Sequence, residues 1–139
     1  MAEIRIDDGL VSYTLNGKCE VTFNPTDPAF AERLYTTFDT LDKQQEDYKA
    51  QVEKIGNTRK VFDFVKERDA EMRQYIDDLF EQPVSEHIFG NMNVYAIANG
   101  LPVWANLLLA IMDEIDVVFT REQKLTHPRI SKYTKKYHK

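Results

Sequence analysis

Gly100-Leu101-Pro102-Val103-Trp104-Ala105-Asn106-Leu107-Leu108-Leu109-Ala110-Ile111-Met112, continuing as Asp113-Glu114-Ile115-Asp116-Val117-Val118-Phe119, is the most hydrophobic stretch of an otherwise polar chain. Gly100 and Pro102 mark the start of a helix, because proline is tolerated in a first turn where its missing N–H costs nothing. A helix this apolar is expected to have protein on most sides. A membrane span would need about 20 apolar residues, and Asp113, Glu114 and Asp116 end the run too early for that. The stretch therefore predicts a buried central helix. After Met112 it becomes amphipathic, with Ile115, Val118 and Phe119 facing inward, and it continues polar through Lys124.

Around that helix the 139 residues suffice for one domain with a real core, and 8 Phe, 7 Tyr and 1 Trp argue against disorder over the whole length. Charge is unevenly placed. Residues 1–122 carry 23 acidic and 12 basic side chains, a net of −11, whereas residues 123–139 carry six basic side chains and no acidic one. An acidic body disfavours broad nucleic-acid binding. The opening Met1-Ala2-Glu3-Ile4-Arg5 has no apolar run of the secretory type, and the lone Cys19 has no intrachain partner. Both point to a reducing cytoplasm.

Before the central helix the chain divides into two hairpins. Leu10–Leu15 and Lys18–Phe23 flank Asn16-Gly17, the favoured type I′ pair, so residues 10–23 predict a β-hairpin. Val11, Tyr13 and Leu15 form one apolar face, and Cys19, Val21 and Phe23 another. Such a pair is marginal alone and must pack on helices or on another chain. Thr26 or Asp27 should cap a helix from Pro28 to about Ile55. Gly56-Asn57 should close it, with glycine in the left-handed position, and a second helix should run from Thr58 to about Phe80.

These two helices carry matching heptads: Leu34, Phe38, Leu41, Gln45, Tyr48, Val52 and Ile55 in the first, and Phe62, Val65, Asp69, Met72, Ile76 and Leu79 in the second. Folding at Gly56-Asn57 pairs residues whose numbers sum to about 114, so Val52 faces Phe62, Tyr48 faces Val65, Leu41 faces Met72, Phe38 faces Ile76 and Leu34 faces Leu79. Gln45 and Asp69 then share one layer and are read as a register-setting polar pair, for which double replacement by leucine should raise the melting temperature. The fold class is thus mainly α with an N-terminal β-hairpin (α+β), a long antiparallel helical hairpin at 28–80 packed on a buried C-terminal helix. Ahead of the central helix, Pro83–Phe89 should form a short helix ended by Gly90, and Val94–Ala98 a second, capped by Asn93 and ended by Asn99-Gly100; residues 84–124 hold the short helices and the central helix. Residues 125–139 form a basic tail.

Chemistry is hard to find. His87, His127 and His138 stand far apart in no ligand spacing, and Cys19 is read as a packing thiol. Asp39 with Asp42, and Asp113, Glu114 and Asp116, lack the Glu-x-x-His companions of helical metal sites. No glycine-rich phosphate loop and no Gly-x-Ser-x-Gly elbow occurs. No catalytic, metal or cofactor residue is assigned, and no enzyme activity is expected. Tyr95, Leu101, Val103 and Trp104 are candidates for partner contact, although core packing is the favoured reading of Trp104. Lys132, Lys135 and Lys136 of the tail could be solubilising, could dock on an acidic protein surface including another copy, or could touch nucleic acid.

The string Phe89-Gly90-Asn91-Met92-Asn93-Val94-Tyr95-Ala96-Ile97-Ala98-Asn99-Gly100-Leu101-Pro102-Val103-Trp104, followed by Ile111-Met112-Asp113-Glu114, resembles short proteins encoded in the tail modules of phages and prophages of Gram-positive bacteria. Phe23-Asn24-Pro25-Thr26-Asp27 and the segment from Pro128 to His138 are similar too, so the resemblance spans nearly the whole chain. It implies a tail assembly chaperone, which binds the tape measure protein, assists polymerisation of the tail tube protein around it, self-associates and works in the cytoplasm of the bacterial host. The alternative is a structural tail or head–tail connector subunit retained in the virion. The resemblance supplies no binding residues.

Overall fold

A computed structural model describes residues 1–125. The chain is mostly helical with an N-terminal antiparallel hairpin. Strands β1 (Val11–Leu15) and β2 (Cys19–Phe23) are followed by helices α1 (Pro28–Lys54), α2 (Thr58–Phe80) and α3 (Val84–Phe89). A second, two-residue hairpin, β3 (Ile97–Ala98) and β4 (Leu101–Pro102), leads into α4 (Val103–Gln123). The basic tail residues Lys132, Lys135 and Lys136, with His127 and His138, lie outside the described residues.

The first hairpin takes its register from its apolar faces. Asn16 and Gly17 have positive φ, and Lys18 N–H closes the turn on Leu15 C=O at 3.0 Å. A two-residue loop would pair Leu15 with Lys18, whereas the ladder pairs Leu15 with Cys19, Tyr13 with Val21 and Val11 with Phe23. Lys18 is the extra residue. The reason is parity: both apolar sets are odd-numbered, and a one-residue slip would set Tyr13 opposite Glu20. On the other face Ser12 and Thr22 hydroxyls bond at 2.8 Å. The apolar face then stacks on the helices. Tyr13 lies 5.0 Å from Phe23, Phe23 lies 4.4 Å from Phe30 of α1, and Phe30 lies 6.2 Å from Phe80 of α2.

Asp27 caps α1, its carboxylate accepting from Ala29 N–H at 2.9 Å, and Asn57 caps α2 by accepting from Lys60 N–H at 3.1 Å. Between them Ile55 is extended, and Gly56 has no positive φ, so the expected left-handed glycine is absent from this turn. Contacts across the hairpin keep close to the expected sum: Tyr48 stacks on Phe64, and Arg68 donates to Gln44 at 2.7 Å and to Asp47 at 2.6 Å. Leu34, Leu41, Met72, Ile76 and Leu79 are buried. The seam fails at the tip, where Phe62 points outward instead of facing Val52. Among the described residues no third element covers the tip, and two helices alone leave that position to water.

Helix α4 is buried along one face rather than on most sides. Trp104, Ala105, Leu108, Ile111, Met112, Ile115 and Val118 face the core, at the spacing of an amphipathic helix. Phe119 is exposed, against expectation, as is Val117. Pro102 pairs in β4 and precedes the helix instead of occupying its first turn.

Candidate functional site

The segment between α2 and α4 was the least regular in sequence, and its conformation is set by side chains of the helical hairpin. Asp77 of α2 accepts from Ser85 N–H at 2.8 Å and from Ser85 Oγ–H at 3.0 Å, which caps α3 from outside. One turn earlier, Arg73 Nε donates to Asp69 at 2.9 Å, and Arg73 Nη2 donates to the carbonyls of Gly90 at 2.8 Å and Met92 at 2.6 Å. The other Asp69 oxygen accepts from Val94 N–H at 2.8 Å. This ion pair therefore clamps residues 90–94 by meeting backbone groups that no helix or strand would satisfy.

The expected Gln45–Asp69 layer is corrected by this geometry. Gln45 accepts from the Trp104 indole N–H at 2.9 Å, while Asp69 serves the 90–94 loop. No hydrogen bond joins the two. Each fixes the third layer of the structure onto the hairpin.

The expected helix at residues 94–98 does not form. Asn93 Oδ1 does accept from Tyr95 N–H at 2.9 Å, as a cap would, but only one turn follows, closed by Ala96 N–H on Asn93 C=O. The carbonyls of Val94 and Ala96 are taken by Trp104 and Val103 N–H, at 3.4 and 2.8 Å. In place of the helix, Ile97 pairs with Pro102 and Ala98 with Leu101 across Asn99-Gly100, both of positive φ. This is the two-residue turn that Asn-Gly favours. Asn106 of α4 donates to Ala98 C=O at 2.8 Å and ties the small hairpin to the helix.

The result is a fixed apolar knob. Ile97 is 75% exposed, and Leu101 and Met92 are exposed beside it. Next to the knob runs a groove of about 510 Å³, walled by Leu15 of β1, Ile88 and Phe89 of α3, and Val103, Leu107 and Ile111 of α4. A depression of similar size between α1 and α2 is lined mainly by polar side chains, including Glu32, Arg33, Thr36 and Thr37. The groove beside the knob is thus the apolar surface suited to another chain.

Of the residues expected to meet a partner, Leu101 and Val103 lie at the knob and the groove. Trp104 does not: it is 2% exposed, with its ring 5.5 Å from Phe38. Tyr95 is also buried, stacked on Tyr48 at 3.8 Å between ring centroids. Ile97, Met92 and Leu107 were missed. Ile97 and Met92 sit in short segments without periodicity, although the Asn99-Gly100 pair carried the hairpin signal.

Burial raises the Cys19 thiol pKa, which opposes thiolate chemistry. Among the described residues no three His, Cys, Asp or Glu side chains gather as a metal site, and no helix is long and apolar enough to cross a membrane. Compared with protein-family models, characterised proteins and solved structures, the chain matches none.

Proposed function

We propose that this chain is a non-catalytic phage tail assembly chaperone, which holds a helical segment of the tape measure protein, assists the tail tube protein to assemble around it, and acts in the cytoplasm of the bacterial host. One observation supports the reading above others. The string that carries the resemblance, Phe89 to Trp104, coincides with the apolar knob and one wall of the groove. That string, the longest of those that carry the resemblance, thus supplies Met92, Ile97, Leu101 and Val103 to the surface fitted to another chain. A client helix would lay its apolar stripe along Val103 and Leu107, with Ile97 and Leu101 as anchors.

Co-expression with a tagged tape measure fragment tests this. The wild-type chain should co-purify with the fragment. An Ile97→Asp/Leu101→Asp variant should lose it while keeping its melting temperature, because both side chains are exposed. Failure of the wild type to co-purify would count against the reading. Stoichiometric presence in purified particles, measured by mass spectrometry, would make the chain a structural tail or connector subunit instead.

A further inference from the structure

Residues 1–10 form no helix or strand, yet they carry apolar side chains in the open: Ile4 is 90% exposed and Ile6 is 79% exposed. Spaced by two, they share one side of the chain whenever it is extended. The root of this arm is fixed. Asn24 Nδ2 donates to Asp8 C=O at 2.9 Å, and the Asp7 and Asp8 carboxylates accept from Gly9 and Leu10 N–H. Gly9 has φ +70°, and a Cβ there would lie 2.6 Å from Asn24 Nδ2. The arm thus leaves from the end of the β1–β2 hairpin opposite its turn.

The groove lies at the turn end, where Thr14, Leu15, Asn16 and Lys18 form its rim. Within one chain the arm can reach only the rim of the groove. Doubled back at Gly9 along β1, the arm would bring Ile6 only about as far as Ser12 and Ile4 about as far as Thr14, since an extended chain gains the same length per residue in both directions. Both isoleucines would stop short of the groove floor. A second copy has no such restriction. Among the described residues Lys18 is the one charged residue lining the groove, and the arm brings Glu3, Asp7 and Asp8 against a single Arg5. The charges therefore also complement each other.

We infer that the Ile4–Ile6 arm of one copy inserts into the groove between β1, α3 and α4 of a second copy, so that the chain associates by exchange of arms. The exchange uses the groove of the proposed client site but stands whether or not the client is a tape measure helix. In the associated state the arm covers the surface that a client would take.

Sedimentation velocity of the purified full chain tests this. The wild type should associate. Each isoleucine removed from the contact should weaken association by roughly ten- to a hundredfold, so Ile4→Asp/Ile6→Asp should be monomeric. Ala110→Arg, at an exposed α4 position on the groove, should be monomeric as well. Mixing these two variants should restore a one-to-one complex, because one intact arm then finds one intact groove. A monomeric wild type, an arm variant that associates like the wild type, or an Ala110→Arg variant that does so would overturn the exchange. Loss of tape measure capture alone would bear on the proposed function and leave the exchange standing.

Discussion

Tyr95 shows what a single side chain gains and loses on burial here. Its ring is 9% exposed and stacked on Tyr48, but its hydroxyl has no hydrogen-bond partner among the described residues. Stacking of this kind contributes about 1 kcal/mol beyond area burial, while an unpaired buried hydroxyl costs about 1–3 kcal/mol. Tyr95→Phe keeps the first and removes the second, so it should raise unfolding free energy by about 1 kcal/mol at neutral pH, measured by urea denaturation. The pH dependence follows from the same burial, which pushes the phenol from 10.0 up to about 12. Below pH 10 both folded and unfolded forms keep the proton. Between pH 10 and 12 the unfolded chain releases it first, so stability falls as pH rises. The Phe variant should lose that part of the alkaline sensitivity. Burial also raises the pKa of Tyr13 and Tyr48, whose contributions would remain.

Among the elements, the helical hairpin was legible because its heptads and breakers were strong and local. Its polar positions carried a different meaning. Gln45 and Asp69 make no bond to each other and instead hold Trp104 and the Val94 backbone. Replacing both by leucine should lower the melting temperature, the reverse of the sequence-based expectation. It would leave the indole N–H of Trp104, the backbone N–H of Val94 and the Nε–H of Arg73 without their acceptors, each orphan costing about 1–3 kcal/mol. Thermal unfolding followed by circular dichroism measures this, and an unchanged or higher midpoint would refute the assigned role. The two Asn-Gly turns show how local signals depend on context. Asn16-Gly17 has the expected dihedral angles, but its loop is one residue longer because the apolar faces outrank the turn. Asn99-Gly100 makes the two-residue loop in a segment that looked helical.

Across the whole molecule, Trp104 is the only tryptophan and sits where α1, α4 and the Val94 loop meet. Its fluorescence should therefore report the docking of α4 and the Val94 loop on α1. If they form one cooperative unit, the denaturant transition seen by Trp104 fluorescence should coincide with that seen by far-ultraviolet circular dichroism. An earlier fluorescence transition would show α4 leaving before the hairpin melts. The helical hairpin, the N-terminal strands and the position of the apolar C-terminal helix could be read from the sequence. Those features rest on periodicity, caps and breakers within a few residues of one another. Contacts between elements decide which side of α4 is covered, why Phe62 and Phe119 face water, and how the backbone runs through residues 81–102. Their backbone groups are satisfied by Asp69, Arg73, Asp77 and Asn106, partners from other elements. The same long-range bonds hold the knob and groove in place, and so the binding surface became visible only once the layers had come together.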